Sequence, residues 1–456
     1  MNNNYCSPLD ITQIEQNFSE INPAMTQAEA LAEANRCLYC YDAPCTRACP
    51  THIDVPSFIK KIASGNLHGS ARVIFDANPI GASCARVCPV EVLCEGACVE
   101  KTLLDKPIEI GRLQRYATDH AMSSGRQIYT KGESNGKSVG IVGSGPAGLS
   151  CATYLARLGY DVTVYEKRAQ AGGLDTYGMA EYKMPQAVSL SEVEHVEKMG
   201  VKFTLNTEIT AIDELQSNHD AIFLATGLGE TNKLNIPGEE LEGVYDALEF
   251  IQYIKTRDWK SVPLGKNVVV IGAGNTAIDA VTQARRLGAD KVTMVYRRTE
   301  KDASAYDYEM ELARKDGVEF VWQAAPVSIL SDEDNKHVTG LRCEKTDGSL
   351  ELFEIKCDMV IKAVGQQKMR SFFSEVAGVD VDEKGRVIVN DQMQTSKPKI
   401  FSGGDCANGG KEAVDASQMG KLAAMGIHET LSGEKVEFAG AVLRDPPKAP
   451  VDTIPH

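Results

Sequence analysis

The chain lacks an excess of positive charge, a long apolar run and a hydrophobic leader. Its 48 lysines and arginines are outnumbered by 63 acidic residues, and the formal net charge is -15. This acidic balance argues against binding to nucleic acid or to an anionic membrane surface. No run of about eighteen apolar residues predicts a membrane span, and the first residues lack the charged and apolar regions of a signal peptide. We therefore expect a cytoplasmic protein with no nucleic-acid or membrane partner.

Five of the 13 cysteines have no partner at CxxC spacing, namely Cys6, Cys151, Cys343, Cys357 and Cys406. This absence argues against a disulfide-reducing site, and we interpret the five as small buried or incidental residues. The other eight form two tight groups, Cys37-x2-Cys40-x4-Cys45-x3-Cys49-Pro50 and Cys84-x3-Cys88-Pro89-x4-Cys94-x3-Cys98. In a cytosolic chain, such groups are more often metal ligands than disulfides.

The two cysteine groups fit two kinds of metal centre. Four thiolates can hold one cubane iron–sulfur cluster, and bacterial ferredoxins have a similar run whose last cysteine precedes proline. Two four-cysteine zinc sites would use the same eight thiolates, so spacing alone leaves zinc open. The Cys-Pro pairs and two nucleotide-binding loops downstream favour iron–sulfur, because zinc has no redox chemistry.

The first glycine-rich loop, Gly143-Ser144-Gly145-Pro146-Ala147-Gly148, follows a strand pattern at Ser138–Val142 and opens a helix. Such loops bring the backbone close to a pyrophosphate at the helix N-terminus, and an acid after the next strand can bind a ribose hydroxyl. Ala225-Thr226-Gly227 and Ser402-Gly403-Gly404-Asp405 resemble later motifs of two-dinucleotide flavoproteins, which implies FAD with Asp405 on its ribityl chain. The predicted FAD residues are Gly143, Gly145, Gly148, Glu166, Thr226, Gly227, Gly404 and Asp405.

The second glycine-rich loop, Gly272-Ala273-Gly274-Asn275-Thr276-Ala277, follows a strand pattern at Asn267–Ile271. Where the first βαβ unit has Glu166, this unit has the pair Arg297 and Arg298. Arginine can bind a 2′-phosphate, whereas an acid binds a free ribose, so we favour NADPH over NADH. The predicted nicotinamide nucleotide residues are Gly272, Gly274, Asn275, Thr276, Arg297 and Arg298.

The sequence predicts a multidomain fold, with an N-terminal α-helical iron–sulfur domain followed by two nested α/β Rossmann-like domains. Residues 1–25 look irregular, Thr26-x-x-Glu29 forms a capping box, and helix patterns cover Pro56–Ala63, His68–Phe75 and Ile110–Ala121. The predicted domains are 1–130 for the clusters, 137–245 with 363–440 for FAD, 246–362 for NAD(P)H and a tail at 441–456.

The cysteine region resembles the N-terminal half of dihydropyrimidine dehydrogenase, in its form as a separate bacterial FAD and iron–sulfur subunit. The resemblance rests on the first cysteine group with Pro50-Thr51-His52-Ile53-Asp54, and on Asn78-Pro79-Ile80-Gly81 with the second group. It implies two [4Fe-4S] clusters, the first held by Cys37, Cys40, Cys45 and Cys98, the second by Cys49, Cys88, Cys94 and Gln114. Cys84 matches a cysteine that is not a ligand in that family.

The resemblance implies an electron-input subunit of a dihydropyrimidine dehydrogenase. Hydride would pass from NADPH to FAD, and electrons through both clusters to a separate FMN-containing subunit that reduces uracil or thymine to the 5,6-dihydropyrimidine. No catalytic side chain is expected, because the cofactors carry the chemistry. The chain ends at His456 without a segment for FMN, so we expect no uracil reduction by this chain alone.

Three alternatives stay open at this stage. The small subunit of NADPH-dependent glutamate synthase shares the architecture, although the five residues between Cys88 and Cys94 fit dihydropyrimidine dehydrogenase better. A stand-alone NAD(P)H diaphorase would have no stable partner. A flavoprotein scaffold with degenerate clusters would have no activity, and the complete ligand set argues against it.

Overall fold

A computed structural model describes residues 6–441, and the chain folds into two compact units. Unit 1 contains the residues up to Ile21 together with Gly172–Ser189 and Leu228–Met369. Unit 2 contains Asn22–Ala171, Leu190–Gly227 and the residues from Arg370 onwards. Apart from Ala441, the tail predicted at 441–456 lies outside the described residues.

Helices account for all the regular structure described before residue 138. In chain order the helices are α1 Ile11–Asn17, α2 Gln27–Ala34, α3 Pro44–Ala48, α4 Val55–Ala63, α5 Leu67–Ala77, α6 Gly81–Val87, α7 Val99–Leu104, α8 Ile110–Ser123, α9 Pro146–Arg157, α10 Leu174–Tyr177, α11 Gln186–Glu197, α12 Asp213–Asn218, α13 Ala247–Thr256, α14 Asn275–Leu287, α15 Asp307–Lys315, α16 Asp405–Asn408 and α17 Ala413–Ser432. The helices predicted from periodicity correspond to α4, α5 and α8, and the predicted capping box begins α2.

The strands form one parallel sheet in each unit. They are β1 Ser138–Val142, β2 Asp161–Tyr165, β3 Lys202–Thr204, β4 Ala221–Leu224, β5 Val244–Asp246, β6 Asn267–Ile271, β7 Lys291–Val295, β8 Glu319–Val321, β9 Ala324–Ser331, β10 Val338–Lys345, β11 Leu352–Lys356, β12 Met359–Lys362 and β13 Ile400–Ser402. Unit 2 has the order β13-β4-β1-β2-β3, and unit 1 has β5-β12-β6-β7-β8 with an antiparallel sheet β11-β10-β9. The predicted fold class, a helical domain followed by two nested Rossmann-like domains, is confirmed.

The helical part of unit 2 has an apolar core that also contains the cysteines. The face of α8 predicted from spacing is buried, with Ile110, Leu113 and Ala117 packed against Phe58 of α4. Cys98 belongs to this core, and four further cysteines from the two groups pack against it while half-buried. The cysteine groups therefore lie at the border of this apolar core, partly shielded from solvent.

The N-terminal segment is more ordered than its sequence suggests. The prediction of an irregular segment over residues 1–25 is wrong for α1, which Asp10 and Gln13 begin with a capping box. Phe18, just after α1, stacks on Trp259 of unit 1 with ring centroids 4.9 Å apart. The N-terminal residues thus pack within unit 1, whereas the predicted domain boundary assigns them to the cluster domain.

In unit 2, two glycines allow segments of the backbone to approach each other closely. A Cβ on Gly143 would lie 2.3 Å from the carbonyl oxygen of Ala225, and Gly143 has φ +101°. A Cβ on Gly420 of α17 would lie 2.2 Å from the carbonyl oxygen of Ala147 of α9. Only glycine allows both contacts, since any side chain would overlap a backbone atom.

Replacing Gly143 tests the first of these contacts. Gly143→Ala is expected to lose most of its bound FAD and about 1–3 kcal/mol of stability, because the loop must shift to accept a Cβ. The measurements are flavin absorbance per chain and the melting temperature. Gly136→Ala is a matched control, since it also has a positive φ (+73°) but no heavy atom within 4 Å of the new Cβ. Equal FAD content in both variants would contradict a role of this loop in FAD binding.

Candidate cofactor sites

The first cysteine cavity lies in unit 2 and gathers thiols from both sequence groups. Cys37 and Cys40 come from the loop before α3, Cys45 lies in α3, and Cys98 is the residue before α7. All four line one small cavity, whose apolar wall includes Ile59 of α4. The structure therefore brings together the four residues predicted for the first cluster.

The second cysteine cavity also draws on both groups. Its lining residues with sulfur or amide groups are Cys49, Asn78, Cys84, Cys88, Cys94 and Gln114. Cys49 directly follows α3 and Cys88 directly follows α6, so the carboxyl ends of two short helices meet at this cavity. The four residues predicted for the second cluster thus lie together, and Cys84 lines the same cavity.

Gln114 is held in one orientation. It is 7% exposed, and its Nε2 donates a hydrogen bond of 2.7 Å to the carbonyl oxygen of Gly81. A carbonyl can only accept, so the amide nitrogen must face Gly81. This leaves the amide oxygen as the donor atom that Gln114 can offer to a metal.

The thiols influence one another electrostatically within each set. Burial and the neighbouring Cys98 raise the pKa of Cys45 to about 12, and burial with Cys40 and Cys98 nearby raises the pKa of Cys37. A hydrogen bond with Cys84, burial and the thiols of Cys49 and Cys94 raise the pKa of Cys88. Crowded buried thiols of this kind resist ionisation unless a cation compensates the thiolates.

The donor sets fit iron–sulfur clusters in their chemistry. Thiolates are the usual ligands of such clusters, and each cavity offers at least three of them within an apolar wall. In residues 6–441, no group of three or more His, Cys, Asp or Glu side chains could hold a single metal ion.

The first dinucleotide loop joins β1 to α9, with Gly145 as the residue before the helix. Glu166 follows β2 and is buried at 7% exposed. Its carboxylate accepts hydrogen bonds from the backbone N–H of Ser144 at 3.2 Å and from that of Arg168 at 2.9 Å. A Cβ on Gly148 would lie 2.1 Å from the carbonyl oxygen of Gly143, so the loop closes tightly on the helix.

The later motifs of this unit end neighbouring strands of the same sheet. Thr226 and Gly227 follow β4, and Gly404 and Asp405 follow β13, which pairs with β4. The Thr226 hydroxyl is buried and has no hydrogen-bond partner within the described residues. A buried polar group without a partner is costly unless a ligand satisfies it. The loop glycines and this hydroxyl therefore fit a bound dinucleotide.

The second dinucleotide loop borders a large cavity in unit 1, with a volume of about 620 Å³. Gly272, Gly274 and Thr276 line it from the β6–α14 connection. A Cβ on Gly272 would lie 2.3 Å from the carbonyl oxygen of Ala363, so this loop is as tight as the first. Asn275 does not line the cavity, and its side chain instead accepts from the backbone N–H of Tyr306 at 3.2 Å.

Arg297 and Arg298 both line this cavity. Their guanidinium groups form no ion pair with any residue of the described part of the chain, which leaves them available to an anion.

The predicted correspondence between the arginine pair and Glu166 of the first loop needs one correction. In both loops, the backbone N–H of the first glycine donates a hydrogen bond to the last residue of the neighbouring strand. The residue directly after that strand is Glu166 in unit 2 and Tyr296 in unit 1. Tyr296 therefore occupies the position of Glu166, and the arginines follow it.

Several lining residues escape prediction from the sequence. Lys362, at the end of β12, lines the unit 1 cavity and forms ion pairs with Glu239 at 2.9 Å and Asp246 at 3.1 Å. The run Ala363-Val364-Gly365-Gln366 lines the same cavity and resembles Ala225-Thr226-Gly227 in its place after a strand. That repeated placement is the signal that could have revealed it.

Two family comparisons cover the two parts of the chain. The family described as pyridine nucleotide-disulphide oxidoreductase matches residues 137–420. The family described as dihydropyrimidine dehydrogenase domain II, 4Fe-4S cluster, matches residues 14–126. Among the helices of residues 6–441, none is both long and apolar enough to cross a membrane.

Individual relatives agree with both families. The NAD-dependent dihydropyrimidine dehydrogenase subunit PreT of Escherichia coli K12 is 35% identical over 92% of this chain and 98% of its own length. The small chain of NADPH glutamate synthase from the same organism is 35% identical over 92% of this chain and 95% of its own length. Thioredoxin reductase from Lactococcus lactis, a solved structure, has a TM-score of 0.54 and 26% identity, and covers 65% of this chain and 100% of its own.

These matches agree with the cavities and loops of both units. The 4Fe-4S family covers both cysteine groups, and the oxidoreductase family covers both glycine-rich loops. The chain belongs to the pyridine nucleotide-disulphide oxidoreductases with an N-terminal 4Fe-4S domain, the group of subunit PreT and the glutamate synthase small chain, and it is a flavin and iron–sulfur oxidoreductase.

Proposed function

We propose that this chain is the electron-input subunit of a dihydropyrimidine dehydrogenase, located in the cytosol. It would oxidise NADPH and pass electrons to a separate FMN-containing subunit that reduces uracil or thymine at the 5,6 bond. The relative named for this activity supports the proposal, since it matches 92% of the chain. Glutamate synthase small chain is the second candidate, because its identity over the chain is the same.

Helix α17 is the observation that carries the proposal. Gly420 of α17 packs against the first turn of α9, at the FAD loop. Val414 of α17 lines the second cysteine cavity. The Ser417 hydroxyl donates a hydrogen bond of 2.8 Å to the side chain of Asn78, which lines the same cavity. One helix therefore contacts both the dinucleotide loop and the cysteine cavity. This arrangement fits an electron path from flavin to cluster within unit 2.

When bound, FAD supplies hydride acceptance with single-electron release, and [4Fe-4S] clusters supply one-electron transfer. The chain's own residues orient these groups and exclude water. Gly143, Gly145 and Gly148 would admit the pyrophosphate, Glu166 the ribose, and Asp405 the ribityl chain. The apolar walls of the two cysteine cavities would keep water from the clusters.

We further propose two clusters with interlaced ligands. Cys98 from the second sequence group would complete the first cluster, and Cys49 from the first group would join the second cluster with Cys88, Cys94 and Gln114. The shared lining of each cavity supports these sets. Cys84 competes with Gln114 as the fourth ligand, since it lines the same cavity. Its hydrogen bond with Cys88 favours a structural role.

Two substitutions separate Gln114 from Cys84. Cys84→Ala is expected to keep about eight irons per chain, which is two cubane clusters. Gln114→Leu is expected to alter the EPR signal and the potential of one cluster, because it removes the amide oxygen but keeps the volume. FAD content should not change in either variant. If Cys84→Ala loses about four irons while Gln114→Leu leaves both signals intact, Cys84 is the ligand and our assignment is wrong.

The nucleotide preference rests on the arginine pair in the unit 1 cavity. Arg297 and Arg298 have no ion-pair partner in the described chain, and Tyr296 replaces the acid that would repel a 2′-phosphate. The relatives divide on this point, since one name specifies NAD and the other NADPH. We propose NADPH, with NADH as the weaker substrate.

Substituting both arginines tests this preference. Arg297→Gln with Arg298→Gln is expected to raise KM for NADPH about tenfold or more and leave KM for NADH nearly unchanged, because hydrogen bonds to charged groups contribute about 1.5–3 kcal/mol. The assay is NAD(P)H oxidation with ferricyanide as acceptor. Arg342→Gln is the control, since Arg342 pairs with Glu354 on the antiparallel sheet of unit 1. A wild-type preference for NADH would refute the proposal.

The partner distinguishes the candidate functions. The tagged full chain should copurify with an FMN protein, and the complex should oxidise NADPH when uracil or thymine is added. The chain alone should oxidise NADPH only with an artificial acceptor. Copurification with a large glutamine-hydrolysing protein would select glutamate synthase instead, and the lack of any stable partner would select a diaphorase.

A further inference from the structure

Lys421 of α17 is a buried cation inside unit 2. Its side chain is 0% exposed. Its Nζ donates hydrogen bonds to the carbonyl oxygens of Thr51 at 3.2 Å and Ala439 at 2.9 Å. No carboxylate of residues 6–441 forms an ion pair with it. A buried ammonium without a counter-charge costs several kcal/mol, so this position calls for a reason.

Two lysines of unit 1, the buried Lys255 and the partly buried Lys183, show the usual solution. Lys183 forms ion pairs with Asp279 at 2.5 Å and with Glu309, and Lys255 pairs with Glu181 at 2.9 Å. Burial would lower the pKa of Lys183, but its two carboxylates raise it above the usual range. Unlike them, Lys421 has no carboxylate partner within residues 6–441: two carbonyl groups accept its hydrogen bonds, and its Nζ lies 5.9 Å from the ring centroid of Tyr154. The chain itself thus leaves this one buried cation uncompensated among these three.

The groups nearest to Lys421 point to the second cysteine cavity. The Thr51 hydroxyl lies 3.4 Å from the Sγ atom of Cys49, and the Thr51 carbonyl accepts from Lys421. Burial lowers the pKa of Lys421 to about 7, whereas Cys49 and then Asp76 act in the opposite direction. Asp76 is already paired with Arg157 at 2.7 Å, and Arg157 itself lowers the pKa of Lys421, so the cysteine cavity is the place where a further negative charge would compensate this lysine.

The C-terminal residues close this region from outside. A Cβ on Gly440 would lie 2.0 Å from the carbonyl oxygen of Thr51, so the chain passes directly over the cysteine turn. Phe438 packs on Tyr154 with ring centroids 4.4 Å apart. Water is therefore kept from Lys421. Its charge acts at low dielectric on any charged group in the cysteine cavity beside Cys49.

We propose that Lys421 is the built-in counter-charge of the cluster bound through Cys49, Cys88, Cys94 and Gln114, and that it raises the reduction potential of that cluster. The inference rests on the proposed function, since it requires a cluster in this cavity. Three thiolates and a neutral amide leave a cubane cluster anionic, and reduction adds one more negative charge. A buried ammonium beside it stabilises the reduced state more than the oxidised state.

The test compares two substitutions that differ in charge. Lys421→Gln keeps a hydrogen-bond donor but removes the charge, and Lys421→Arg keeps the charge with a changed shape. Both cluster potentials are measured in the full chain by EPR-monitored redox titration, with iron, FAD content and melting temperature as folding checks. The affected cluster is the one whose signal changes in Gln114→Leu. Lys60→Gln is the matched control, because Lys60 is exposed and lies over the ring of Tyr39 in the other cysteine loop.

The expected result is confined to one cluster. At a fixed potential, Lys421→Gln should lower its ratio of reduced to oxidised form at least about tenfold, which is about 59 mV for a one-electron couple. Lys421→Arg and Lys60→Gln should change this ratio less than about threefold. Loss of about four irons from the Gln variant alone, with FAD retained, also supports the proposal, since charge then decides whether the cluster is held.

Three outcomes overturn the inference. Lys421→Gln could leave both potentials unchanged, the Gln and Arg variants could shift the potential equally, or both could lose iron. The first outcome means that the charge does not affect the clusters, and the other two mean that the side chain acts through its shape or its hydrogen bonds. A wild-type chain without any cluster signal would instead refute the proposed function itself, so the two failures are distinguishable.

Discussion

Helices α9 and α17 touch at Gly420, whose missing side chain lets α17 pass close to the Ala147 carbonyl oxygen. Unit 2 depends on this contact. It fixes α17 against the start of α9, where the first glycine-rich loop ends. The first two turns of α17 then reach the second cysteine cavity through Val414 and Ser417. A longer side chain at this position would separate the two regions that an electron must connect.

The interlacing of the cysteine groups imposes a second constraint. Each cavity needs a thiol from the other group, because Cys98 lies with the first group and Cys49 with the second. Neither cavity is complete until both segments and α8 have folded together. Formation of the clusters would therefore be coupled to folding of the whole helical region, as it is for other metal sites whose ligands are dispersed along the chain.

The sequence predicted the parts of this molecule that depend on local patterns. The strands at Ser138–Val142 and Asn267–Ile271 and the glycine loops after them could be predicted because apolar runs and glycine spacing are local signals. Residues whose role depends on neighbours distant in the chain could not be predicted in this way. Only the family resemblance predicts Gln114 as a cluster ligand, since a glutamine on a helix gives no sign of the cavity beside it. The helix α1 was missed because nothing local shows that Phe18 stacks on Trp259.

Lys421 illustrates the same limit for charge. In the sequence it is one lysine among many on a helix, where solvent exposure is the ordinary expectation. Its burial follows from contacts with two residues outside α17. Thr51 is far from it in the chain, and Ala439 lies beyond the end of the helix. Burial and charge pairing are properties of the folded chain, so no spacing rule would have selected this residue.

The two units differ in how they compensate their buried charges, and this difference matches the ligands we propose for them. Unit 1 pairs Lys183 and Lys255 with its own carboxylates. Unit 2 leaves Lys421, the Thr226 hydroxyl and its crowded thiols without full compensation in the protein alone. Under the proposed function, bound FAD and clusters would offset these costs, so removal of the cofactors should destabilise unit 2.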